Sequence, residues 1–162
     1  MTTGRSVHRV PIGITLVLPV ITALLLVIPS SIWAEQGTQS DLMDINSGEK
    51  KGRVIIAPNA SGQGEFKAEV TVNVHDVEPN TIYQVWRAID LVPDGVFDPT
   101  APGFPWVEIA AFTTSPGGAG EAHFIRAGGP LSGVRFDVLL QVRLNDGVTV
   151  ILQSDTMTVT VK

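Results

Sequence analysis

Asp90, Asp94 and Asp98 fall four apart in the stretch DLVPDGVFDPTAPGFPW (residues 90–106), and Gly95 follows the middle one. Carboxylates at short regular spacing beside an Asp-Gly pair are the raw material of a calcium loop, where acidic side chains must converge on one hard cation. Asp94-Gly95 and Asp98 fit that pattern. Val92 stands where an intermediate oxygen ligand belongs, and Pro93 stiffens the chain where it must curl. The competing reading is a Pro-Asp-Gly turn, with Gly95 where the backbone needs a positive φ. We read the stretch first as a turn-rich connection. A weak calcium site on Asp90, Asp94 and Asp98, completed by backbone carbonyls, is the alternative. The segment also carries Phe97, Phe104 and Trp106. Phe104 and Trp106, with Trp86, are candidate ligand-binding residues, because exposed indoles stack on sugar rings and loops on a rigid frame carry recognition. The expected partner is a protein or a polysaccharide.

His75 and His123 are the only histidines beyond the N-terminal segment. A metal centre needs three or more N, S or O ligands in one place. The two would share an ion only if their strands were neighbours, which leaves a small metalloenzyme as a third reading. Serine, histidine and aspartate are all present, but no Gly-x-Ser-x-Gly elbow occurs and no helix is expected to aim an oxyanion hole. The sequence therefore reads as non-catalytic, with no cofactor other than the calcium alternative.

The elements that hold these residues follow a leader. Residues 1–34 carry Arg5 and Arg9 with no acid, an apolar run from Pro11 to Pro29, and Ala34 before a polar acidic chain. Those are the parts of a secretory signal helix, and cleavage after Ala34 is expected. An uncleaved membrane anchor is the rival, although Pro19 and Pro29 weaken a spanning helix. Either places the remainder outside the cytoplasm, periplasmic or secreted, with membrane contact only through this segment if it is uncleaved. Residues 35–162 keep nine basic residues against all sixteen acids, a formal charge of −7. The basic residues are scattered, which argues against nucleic acid and anionic lipid surfaces. The chain has no cysteine, so the fold must hold without disulfides.

Residues 35–50 read as a flexible polar lead-in and 51–162 as one β domain. In EFKAEVTVNVHDV, Phe66, Ala68, Val70, Val72 and Val74 share one face and polar residues the other, the period of a half-buried strand. TIYQVWRAI is apolar on both sides and reads as a central strand. VRFDVLLQVRL alternates again, and the NDG after it is a hairpin turn. Val148, Val150 and Leu152 lie out of phase with Met157, Val159 and Val161, so QSD (residues 153–155) must hold a bulge or a sheet crossing. Seven or eight such strands predict an all-β, antiparallel two-sheet sandwich, with an up-and-down barrel as the alternative.

Val77, Pro79, Asn80, Thr81, Tyr83 and Val85 lie in VEPNTIYQV, which resembles the corner motif of fibronectin type III domains. The resemblance covers nine residues and implies an immunoglobulin-like sandwich. It also implies a structural corner on Pro79, Asn80 and Tyr83, the tyrosine hydroxyl bonding backbone a few residues upstream. In type III domains the corner comes late in the chain, whereas four or more strands are expected after Tyr83, so no particular family is assigned. The functional expectation is an exported, non-catalytic binding or structural module. A carbohydrate-binding or calcium-stabilised adhesion module using residues 90–106 is the alternative.

Overall fold

The computed structural model describes residues 38–59, 67–128 and 133–161. The signal or anchor reading of residues 1–34 lies outside them, as does Phe66. The described residues form nine strands: β1 (Thr38–Asp44), β2 (Lys50–Asn59), β3 (Lys67–Val74), β4 (Ile82–Asp90), β5 (Gly103–Thr113), β6 (Gly120–Ala127), β7 (Arg135–Leu144), β8 (Val150–Ser154) and β9 (Met157–Thr160). The described residues contain no helix. Every pairing is antiparallel, and one hydrogen-bonded path runs β5-β4-β7-β8-β1-β2-β3-β6, with β9 also on β7. The two ends of that path, β5 and β6, are consecutive in the chain and lie side by side without a ladder among the described residues. The arrangement is thus nearly a barrel.

Alternation of apolar and polar residues decides which side of each strand faces inward. On β3, Ala68, Val70, Val72 and Val74 are buried while Lys67, Glu69 and Asn73 are exposed. They meet Tyr83 and Val85 of β4, Phe136, Val138, Leu140 and Val142 of β7, and Met157 and Val159 of β9 in one core. The expected phase change also occurs. Gln141 pairs Gln153 and Val138 pairs Met157, so the β8–β9 side holds one more residue than β7 across that interval. The extra residue keeps Leu152, Ser154, Met157 and Val159 all buried.

Three expectations are corrected. The stretch read as a flexible lead-in forms β1 over Thr38–Asp44, paired to both β2 and β8, with Leu42 fully buried. Its polar composition concealed a strand because only Leu42 needs to point inward. β7 does not alternate between core and solvent: Asp137, Leu139 and Gln141 are buried along with the core-facing residues. The connection between β4 and β5 covers its outer face. That connection is also shorter than the sequence suggested, because Gly103 already begins β5 and Leu91 N–H donates to Pro102 O at 2.9 Å to close its base.

The β3–β4 corner is built around Tyr83, which is buried and stacks on Phe112 with ring centroids 5.8 Å apart. Its hydroxyl accepts a 3.2 Å hydrogen bond from Glu78 N–H. Asn80 takes the left-handed φ of 50° that asparagine tolerates. Thr114 ties the corner across, its hydroxyl donating to Glu78 O (2.7 Å) and accepting from Thr81 N–H (2.9 Å). Tyr83→Phe keeps the ring packing and removes one acceptor. We expect a loss of about 1 kcal/mol, close to 4 °C in Tm, measurable by thermal unfolding; no change would mean the hydroxyl plays no part in the corner.

The NDG turn joins β7 to β8, with Leu144 N–H donating to Thr149 O. Asp146 caps it, accepting from Val148 N–H, Thr149 N–H and the Thr149 hydroxyl. The hydroxyl bond, then the two backbone N–H groups, hold its pKa below the ordinary 3.8. A depressed folded-state carboxyl stabilises fully above the unfolded value, and that contribution is lost as pH falls through the folded value. Tm is therefore expected to drop on acidification from about pH 5 to about pH 2, and to drop less in Asp146→Asn. Equal drops in both proteins would remove Asp146 from the effect.

Candidate functional site

The β4–β5 connection, residues 91–102, is held by carboxylates that point at backbone rather than at one another. Asp90 is almost fully buried, accepting from Val92 N–H at 2.8 Å and from Asp98 N–H at 3.0 Å. Asp94 accepts from Val96 N–H, and Asp98 from the N–H and hydroxyl of Thr100. Each is the local turn that aspartate favours. Gly95 has φ 83°, which suits glycine, and its N–H donates to Asp137 Oδ2 at 2.6 Å. Among the described residues no three His, Asp or Glu side chains come together as metal ligands would. The connection thus behaves as a stapled turn, with Asp90 and Asp137 as its anchors. Asp137 was legible in sequence only as an acid in an apolar strand.

The aromatic candidates divide between two places. On the outer face of β4 and β7, the Arg143 guanidinium lies 4.6 Å from the Trp86 ring centre and 4.9 Å from that of Trp106. Gln141 Oε1 accepts from Arg143 Nε and Nη2, Gly147 O accepts from Nη1, and Phe97 leans on Trp106 at 6.1 Å. The two indoles therefore each give a face to one cation, a contact worth about 0.5–2 kcal/mol. Phe104 shares a shallow pocket with Trp106 and Phe97 but turns toward another cation, half exposed, with the Arg87 guanidinium 5.9 Å from its ring centre.

The histidines do lie on neighbouring strands, but the register separates them. His123 pairs Thr71, four residues short of His75, a distance of about 13 Å along the strand. His123 bonds the Thr71 hydroxyl and Glu69, and His75 bonds Asp76.

A cavity not anticipated from the sequence opens between β5 and β6. Relative to β4, β5 carries two bulges, one at Ile109 and one around Pro105 and Trp106. A bulge bends and twists its strand, and proline is tolerated there because its missing N–H breaks no ladder bond. At the turn end the strands touch, Gly120 lying so close to the Phe112 ring that a Cβ would strike it. At the other end they leave a slot of about 260 Å³. Its walls are Ile56, Ala68, Val70, Ile89, Ile109, Phe136, Val138, Leu140 and Val159, with Phe104, Arg87, Arg126, Ala127 and Gly128 completing the lining.

Arg87 belongs to the inward phase of β4, opposite Leu140, and Arg126 to the inward phase of β6, opposite Ala68. Arg87 Nη1 is buried with no hydrogen-bond partner, and the Arg126 side chain has no ion pair or hydrogen bond, among the described residues. Burial, and then the nearby Arg126 charge, lower the Arg87 pKa, yet a guanidinium stays protonated in proteins. An unsatisfied buried donor costs about 1–3 kcal/mol, more when charged, so Arg87 is an expensive feature for the fold alone. Sequence reasoning had counted both arginines only as scattered charge. The available signal was phase: Arg126 is in step with Ala122 and Phe124, and Arg87 with Tyr83 and Val85.

No family model matches this chain, and neither a curated protein nor a solved structure matches it.

Proposed function

We propose that this chain is a non-catalytic binding module, exported to the periplasm or the extracellular space, whose ligand site is the slot between β5 and β6. The observation that carries the reading is the slot itself: an apolar cavity entered between β5 and β6, which share no ladder among the described residues. Small-molecule sites combine such walls with a few convergent polar groups. Its described lining residues include no serine, histidine, aspartate or glutamate. Arginine, fixed in its charged form, binds and orients rather than exchanging protons. Export rests on the basic head, apolar run and Ala34 of the leader.

The immunoglobulin-like sandwich remains our reading of the finer architecture. The Tyr83 corner supports it, as does β7, which gives residues 135–138 to β9 and 141–143 to β8. A sheet exchange of that kind would join two sandwich sheets into one path. The carbohydrate or calcium reading of residues 90–106 has less behind it, because the carboxylates bond backbone and the indoles clasp Arg143.

Titration of the full chain with the neutral fluorophore N-phenyl-1-naphthylamine tests the site. We expect saturable blue-shifted emission, lost in Ile109→Trp, which places a larger ring on the β5 wall. Emission unchanged by that variant, in a protein of unchanged circular dichroism, would refute the slot as the binding site.

A further inference from the structure

The chemistry of the slot specifies its ligand more narrowly than apolar walls alone. Arg87 and Arg126 approach it from opposite sides, one on β4 and one on β6. No described acidic residue pairs with either. Arg87 Nη1 is buried and unpartnered, and Phe104 is the only aromatic ring set against that guanidinium among the described residues. Two like charges converging beside a low-dielectric wall repel each other, and the buried part of the Arg87 guanidinium loses hydration as well. An anion placed between them relieves both penalties at once. A carboxylate or phosphate offers two oxygens to a guanidinium fork, which makes a short, charge-assisted contact. Behind the arginines the cavity continues into Val70, Ile89, Leu140 and Val159. These can take only hydrocarbon.

We propose that the slot binds a single-chain anionic amphiphile, its carboxylate or phosphate head between Arg87 and Arg126 and its alkyl chain directed into the core. This rests on the slot being a ligand site, as argued above. It adds the charge and shape of the ligand. Arg87 is the fixed contact, held by its strand and by Phe104. Arg126, exposed at the rim, closes on the head from the β6 side.

Isothermal titration of the full chain with dodecanoate, dodecanol and dodecyltrimethylammonium separates the terms. We expect dodecanoate to bind most tightly and the cation not at all. Decanoate should bind more weakly by about fourfold for each methylene removed from the buried chain. Arg87→Gln should weaken dodecanoate by about tenfold or more and leave dodecanol unchanged. Arg126→Gln, at an exposed position, should act in the same direction with no effect on folding. Circular dichroism and Tm of each variant verify the fold. Residues 1–34 are identical in every protein compared, so binding to their apolar run cannot produce these differences. Sedimentation with phosphatidylglycerol vesicles tells a free amphiphile from a bilayer lipid: variant-sensitive sedimentation supports the second source, its absence alongside dodecanoate binding the first. Equal affinity for dodecanol and dodecanoate, unaffected by either variant, would overturn the anionic head while leaving the slot as an apolar site. Binding of none of the three, nor of the neutral fluorophore, would overturn both readings.

Discussion

Asp137→Ala lowers the unfolding midpoint by about 10 °C, from a loss of about 3 kcal/mol. Asp137 is completely buried on β7, and each carboxylate oxygen has one donor: Gly95 N–H at 2.6 Å and the Thr158 hydroxyl at 2.6 Å. Alanine removes the acceptor from both bonds, and a hydrogen bond to a charged group contributes about 1.5–3 kcal/mol. The Gly95 bond also ties the β4–β5 connection to Asp137 on β7. Losing it should release that connection, seen as faster proteolytic cleavage within residues 91–102 while β3 amides keep their hydrogen-exchange protection. Asp137→Asn preserves shape and one acceptor, so its loss should be smaller. A change in Tm within about 2 °C for the alanine variant would mean that neither bond contributes.

Leu42→Ala costs about 3 kcal/mol and a comparable fall in Tm, since large-to-small changes at buried leucines cost about 2–5 kcal/mol. Leu42 is fully buried at the join between β1 and its two partners, opposite Gly52 on β2 and Ser154 on β8. The truncation removes packing from the strand that links the β7–β8 part of the path to the β2–β3 part. A lead-in without structural role would tolerate it with no change, so chemical denaturation of this one variant decides whether β1 belongs to the domain. Met43→Ala, half-buried on the same strand, is the natural comparison and should cost less.

Much of this protein is legible in short windows. The alternation of β3, the Pro-Asp-Gly and Asn-Asp-Gly turns and the phase change after Leu152 each depend on residues within a few positions of one another. So does the corner of Pro79, Asn80 and Tyr83. Period two reveals which side of a strand a residue takes, because the pleat is local. It is silent about what lies across the gap. β1 went unread because one buried leucine among polar residues is no pattern until β2 and β8 supply its ladders. β7 looked half-solvated because the connection covering it is anchored by Asp90 and Asp137 through bonds to backbone N–H groups, which composition does not encode.

The candidate site divides in the same way. The sequence by itself determined an all-β chain with a turn-rich, aromatic connection, and it drew attention to Asp90, Asp94, Asp98, Trp86 and Trp106 because their types are suggestive. Tertiary structure alone decided that those carboxylates bond backbone, that Arg143 lies between the indoles, and that register holds His75 and His123 apart. It also brought Arg87 and Arg126, from strands at different places in the sheet, to one apolar slot. The physical reason is that convergence depends on strand pairing and on the two bulges in β5, which bend and twist the strand. Both are settled by long-range packing of the whole chain rather than by the residues that meet.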